Sequence, residues 1–168
     1  HLDGGPAHDT IAAVASAPEE HFRPLSRPLS AGYTRQAHWL RITLRHGDTA
    51  PSRWLLEVSP GYLDDVRLYV PDASAPAGFR EHASGDRLPF SAREVAHRFF
   101  VFPLALPKGG QPHTVYLRVQ STSTMLVRLG LYEPRAFAQA TQGEYLGLGL
   151  QLGCLGLMLL YSLLHWRT

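Results

Sequence analysis

Cysteine occurs once in this 168-residue chain, at Cys154, and lysine once, at Lys108. A lone thiol excludes an internal disulfide framework and any Cys-rich zinc site. Charge is sparse as well: charged residues make up 18% of the chain, against about 25% in typical domains. The 16 basic and 14 acidic residues leave a formal net charge of +2, too little to mark a nucleic-acid partner. With 45% hydrophobic residues the chain is not a disordered polyampholyte either. Catalytic signatures are missing too. The nine histidines (His1, His8, His21, His38, His46, His82, His97, His113 and His165) form no HExxH and no Cys-His cluster, which leaves no local metal motif, although two or three of them can still assemble into a site in space. No GxSxG elbow, phosphate-binding glycine loop or dinucleotide fingerprint occurs, and no repeat of fixed period suggests a propeller or solenoid. The expectation is no enzyme and no cofactor.

What is present is distributed unevenly. From Tyr145 to Leu164 the 20 residues YLGLGLQLGCLGLMLLYSLL carry no charge, with only Gln151 and Ser162 clearly polar. As a helix rising ~1.5 Å per residue, this run matches the ~30 Å hydrocarbon core of a bilayer. It is apolar all round, unlike the one-sided stripe of a soluble helix, and it lies at the wrong end for a cleaved signal peptide. Tyr145, Tyr161 and Trp166 sit where interfacial aromatics belong, and Arg167 favours a cytoplasmic C-terminal end. Gly149 and Gly153 form a small-xxx-small pair for close helix approach, although glycine is common in membrane helices anyway. Mid-span Cys154 reads as a small packing residue. A start at His1 and an end just past Trp166 fit a segment of a longer membrane protein.

Residues 1–143 hold 15 basic and 13 acidic residues, so the charge of +2 belongs to them. Here the pattern has period two. A short helix is expected at Asp9–Ser16, capped by Asp9 or Thr10. Leu40, Ile42 and Leu44 then alternate with Trp39, Arg41, Thr43 and Arg45, as in a half-buried strand. Further strands are expected at Trp54–Val58, Val66–Val70, Phe79–His82, His97–Phe102, Thr114–Gln120 and Met125–Tyr132, with turns at Gly47-Asp48, Pro60-Gly61 and Lys108-Gly109-Gly110. His97–Phe102 has aromatics on both faces, the mark of a central strand. Seven or eight strands about ten residues apart, with no room for crossover helices, predict an all-β antiparallel sandwich or jelly roll.

Candidate binding residues are the amphipathic side chains on the polar side of these strands: Trp39, Arg41, Tyr69, Tyr116 and Arg118. Aromatic faces stack on sugar rings, and arginine forks bind hydroxyls or carboxylates. The same residue types also pair across strands for structural reasons. Asp64-Asp65 is either a solvated turn or a calcium ligand pair.

Four segments in order, HWLRITLRH (38–46), SRWLLEVSPGYLDDVRLYVPD (52–72), SGDRLPFSAREVAHRFFVFPLALP (84–107) and HTVYLRVQSTSTMLVRLGLYEP (113–134), resemble the second type of extracellular sensor domain of bacterial seven-transmembrane receptors with diverse intracellular signalling modules. QGEYLGLGLQLGCLGLMLLYSLLH (142–165) is similar to the start of those receptors' first membrane helix. The resemblance implies a periplasmic jelly roll like carbohydrate-binding modules over 1–135, a connector over 136–143 and the first membrane helix over 144–166. It also implies six further helices and a cytoplasmic output such as a diguanylate cyclase, histidine kinase or phosphatase. The expected partners are a carbohydrate or related small molecule, lipid around 145–164, the other helices and a possible second copy, with no nucleic acid. The inner membrane is the expected location, with 1–143 in the periplasm and the C-terminus towards the cytoplasm. In the alternative reading the domain docks a protein or dimerises, with exposed Trp39 or Tyr69 as anchors.

Overall fold

The structure is a computed structural model describing residues 1–4, 9–45, 47, 50–75, 77–107 and 109–166. His8, His46, the turn positions Asp48 and Lys108, and Arg167 lie outside the described residues. Two compact units divide the chain, residues 1–132 and 133–168.

The first unit contains nine strands: β1 (Leu2–Asp3), β2 (Leu29–Tyr33), β3 (His38–Leu44), β4 (Arg53–Ser59), β5 (Asp65–Pro71), β6 (Phe79–Ser84), β7 (Phe100–Ala105), β8 (His113–Gln120) and β9 (Thr124–Tyr132). They form two antiparallel sheets, in the orders β1-β3-β8-β5-β6 and β2-β9-β4-β7. The alternating apolar positions meet between the sheets. Leu40, Val66, Leu68, Val115, Leu117 and Val119 of the first sheet pack with Leu56, Val58, Phe100, Phe102, Met125 and Val127 of the second. Each such side chain contributes about 1.5–3 kcal/mol by leaving water, so this layer drives the collapse. The period-two reading of β3, β4, β5, β8 and the first half of β9 therefore holds.

Two strands escaped that reading. β1 is two residues long, and β2 (Leu-Ser-Ala-Gly-Tyr) does not alternate because a bulge lies between Ser30 and Gly32. Gly32 accommodates it with φ +67°, a backbone region that glycine enters without a Cβ penalty.

The placement of His97–Phe102 at the centre of a sheet is corrected. The strand begins at Phe100, and β7 is the edge of its sheet, paired only with β4 among the described residues. Pro103 sits opposite Leu55 in this strand. Proline has no N–H to give to a neighbour, so an edge is where a strand can carry one.

Helix α1 (Ile11–Ala15) is capped by Thr10, whose hydroxyl accepts the Ala13 N–H at 3.3 Å. It lies on the outer face of the first sheet, where Val14 and Leu2 pack with Trp39, Tyr69 and Tyr116 in a second apolar cluster. A 3-10 turn at Glu19–His21 follows, and the segment from Phe22 to Pro28 then leads to β2.

The second unit is one helix, α2 (Pro134–Trp166), of 33 residues, about 50 Å at 1.5 Å per residue. Pro134 occupies its first position, where a missing N–H costs nothing, and only Glu133 separates it from β9. The helix is long and apolar enough to cross a membrane, and none of its apolar window is buried.

Candidate functional site

The five residues singled out from the sequence do share one face of one sheet. Strand register aligns Trp39 with Arg118 and Arg67 in one cross-strand row, and Arg41 with Tyr116 and Tyr69 in the next. The face is not open, however. Trp39 is 0% exposed and Tyr69 and Tyr116 are also buried, because α1 and the residues around it cover them. The expectation of exposed Trp39 and Tyr69 is corrected for that reason: the alternation correctly assigns the face but cannot show a short helix lying upon it. Trp39 and Tyr69 rings pack 5.5 Å apart, and Phe79 meets Tyr116 edge-on at 5.7 Å. Burial pushes the Tyr69 hydroxyl up to about 12, helped by a hydrogen bond to Glu81.

Arg118 is held in an ion network. Its Nη1 lies 2.5 Å from Asp65 Oδ2 and its Nη2 donates to Gln120 at 2.8 Å. Arg67 Nε donates to Asp65 at 3.0 Å and its Nη1 to Glu81 at 3.0 Å. Asp65 thus serves two arginines as counter-ion. Asp64 faces elsewhere: its Oδ2 accepts the Thr122 hydroxyl at 2.8 Å and the Thr122 N–H at 3.0 Å, and Arg87 lies 3.2 Å away. The Thr122 hydroxyl above all holds the Asp64 carboxyl below its ordinary value. The adjacent carboxylates of Asp64 and Asp65 therefore tie different segments together.

Arg41 lines a large cavity. A groove of about 540 Å³ opens between β3, the 22–25 segment and β9, lined by Phe22, Leu25, Leu40, Arg41, Thr43 and Leu129 among others. Beyond Trp39, no described strand pairs with the outer edge of β3, since β1 matches only Trp39 and His38. That short pairing leaves the groove its mouth. Arg41 spans it, with Nη2 2.8 Å from Glu19 Oε1 and its guanidinium 4.5 Å above the Phe22 ring centre. A second cavity of about 480 Å³ shares Leu25, Leu40 and Leu129 and adds Arg27 and Arg128.

Leu25 and Leu129 are 42% and 40% exposed, an apolar floor and wall open to solvent. Leu129 pairs with fully buried Val58 of β4 and so points to the core side of its sheet, yet it stays 40% exposed. Sequence reasoning aligned Leu129 with the core and assigned Leu25 to no element. The only signal for the groove was an isolated leucine between Pro24 and Pro28, a stiff segment unable to continue a helix.

Chemically, the groove offers apolar surface with arginine donors at its rim, a combination suited to a small polar molecule with one apolar side.

No curated protein sequence matches this chain. The family described as 7TMR-DISM extracellular 2 does match, over residues 7–133, which spans the nine-stranded unit apart from β1 and covers most of the chain. Its members are non-catalytic extracellular sensor domains, and the apolar helix that follows is the further mark of a membrane protein. The sequence resemblance implied a β-sandwich sensor domain followed by a membrane helix, and the chain belongs to the family of extracellular sensor domains of 7TMR-DISM receptors.

Proposed function

We propose that this domain senses a carbohydrate or related small polar molecule in the periplasm, binding it in the groove between β3 and β9. The bias would pass through α2 into the membrane helices and on to a cytoplasmic output module. In this reading the C-terminal end of α2 faces the cytoplasm. One observation carries it: Leu129, a wall of the groove, belongs to the strand that runs into the helix with only Glu133 between. A ligand wedged against Leu129 favours one position of β9 over another, and differential affinity for two arrangements is all that a population shift requires. Arg23, Arg27 and Arg128 at the two cavities favour a ligand carrying a carboxylate, such as an acidic sugar.

The test is thermal unfolding of the whole chain in detergent micelles against a panel of neutral sugars, acidic sugars and small organic acids. A ligand raises the melting temperature with concentration, by RT ln(1 + [L]/Kd) in free energy. Substituting Leu129→Ala and Arg128→Ala then reduces the shift. A melting temperature that follows protein concentration alone, with no response to any panel member, would replace this reading with dimerisation or protein docking.

A further inference from the structure

We propose that His1, Asp3 and His38 form a binding site for a divalent transition-metal cation of the zinc type. The antiparallel pairing of β1 with β3 sets Asp3 opposite His38, and Leu2 opposite Trp39. His1 and Asp3 flank Leu2, so strand alternation directs both away from the apolar cluster that Leu2 enters and toward the His38 side. Asp3 Oδ1 lies 3.3 Å from His1 Nε2 and 3.1 Å from His38 Nδ1, and one ligand atom from each of the three residues falls within 4.8 Å of the others.

Those spacings have a chemical meaning. Ligands held about 2.0–2.1 Å from a tetrahedral zinc are separated by roughly 3.3–3.4 Å along each edge. Two imidazole nitrogens and a carboxylate oxygen are also a donor set that borderline cations prefer, whereas calcium and magnesium favour all-oxygen sites.

A second observation points the same way. His38 is only 5% exposed, yet neither of its ring nitrogens makes a hydrogen bond. Its Nδ1 is near enough to Asp3 to pair but not aligned for it. The buried Nδ1 of His1 is likewise without a hydrogen bond. Burying a polar group unbonded is costly, and a cation between His38 Nδ1, His1 Nε2 and Asp3 Oδ1 removes that cost for His38 Nδ1. Thirty-six residues separate His1 from His38, and only the β1–β3 pairing brings them together.

His1 also lines the groove, so metal binding is tested with no groove ligand present. The whole chain in detergent, stripped with a chelator, is titrated with zinc alone, and bound metal is counted by equilibrium dialysis. The expected result is one tight equivalent per chain and a higher melting temperature in zinc. Asp3→Asn and His1→Gln should each weaken that equivalent by at least about tenfold, because even outer-shell partners of a metal are worth that much. Exposed His21 serves as the control, and His21→Gln should leave the affinity as it was. His38→Gln is read only if it folds, so Asp3→Asn and His1→Gln carry the decision. No stoichiometric zinc, or an equivalent that survives both substitutions unchanged, overturns the proposal.

Discussion

The guanidinium of Arg41 lies 4.5 Å above the ring centre of Phe22. Because Arg41 belongs to β3 and Phe22 to the segment that crosses toward β2, this contact joins the sheet to its cover and shapes the groove between them. Glu19 reaches the same guanidinium at 2.8 Å from the 3-10 turn. One arginine therefore holds two parts of the N-terminal segment against the sheet.

The Arg41–Phe22 contact should be measurable by a double-mutant cycle. Arg41→Ala and Phe22→Ala should couple by about 0.5–1 kcal/mol, the size of a cation–π pair that solvent still reaches. Glu19→Gln should cost less than about 1 kcal/mol, since Glu19 is well exposed. Denaturant unfolding of the four Arg41/Phe22 variants reads the coupling, and additive effects would show that the contact holds nothing.

Trp39 should behave as a core residue and not as a ligand platform. Its side chain is fully buried beneath α1, and truncation to alanine should cost about 3–5 kcal/mol. Val14→Ala, on the other side of the same contact, should cost less because it removes fewer atoms. A Trp39→Ala variant with unchanged unfolding would mean that the N-terminal segment does not cover the sheet.

Acid should release the Asp64 tie. A carboxyl held below its ordinary value of 3.8 stabilises the fold fully above that pH, and the contribution is lost as pH falls through the lower folded value. Asp64→Asn should therefore reduce stability at neutral pH and flatten its decline below about pH 4, the reference range for aspartate. Thr122→Val should do much the same, as the Thr122 hydroxyl is the largest cause of the shift. Unfolding curves collected from pH 2 upward in the three proteins make the comparison.

At the alkaline end Tyr69 works with the opposite sign. Its hydroxyl is raised from 10.0 to about 12, so the folded state keeps a proton that the unfolded chain releases. That contribution is complete below pH 10 and disappears as pH rises through about 12. Tyr69→Phe should remove it, visible as a smaller loss of stability over that interval. Tyrosinate absorbance in the folded protein should show one fewer late-titrating group.

Continuity between β9 and α2 should matter for output. In a complete receptor, inserting a flexible Gly/Ser stretch after Arg135 places slack within the first turn of the helix and should abolish ligand-dependent signalling while ligand binding persists. Signalling that survives the insertion unchanged would exclude mechanical coupling through this segment.

How much of this was readable in the residues differs by element. β3, β5 and β8 announce themselves because one of their faces enters the inter-sheet core and the side-chain period of a strand is two. β7 misleads because aromatics on both faces look central, whereas Pro103 carries the deciding information: a strand that cannot donate a hydrogen bond there belongs at an edge. β1 and β2 are invisible for a different reason. A two-residue strand has no period, and a bulge breaks the period of a five-residue one.

The site divides in the same way. Alternation brings Trp39, Arg41, Tyr69, Tyr116 and Arg118 to one face, and the strand register confirms the rows. Which of them meets solvent depends on α1 and the 22–28 segment, whose positions no local pattern encodes. The His1–Asp3–His38 cluster likewise exists only through the pairing of β1 with β3.

The sequence by itself determined the class of the protein: a strand-rich part, a membrane-length apolar helix and the family that joins them. It could do so because period and hydropathy are local properties of a chain. Only the tertiary structure decided that the aromatic face is a second core, that Arg41 and Leu129 border one groove, and that two histidines and an aspartate converge. Those are relationships between residues far apart in sequence, and they are set by which surfaces pack together and leave water.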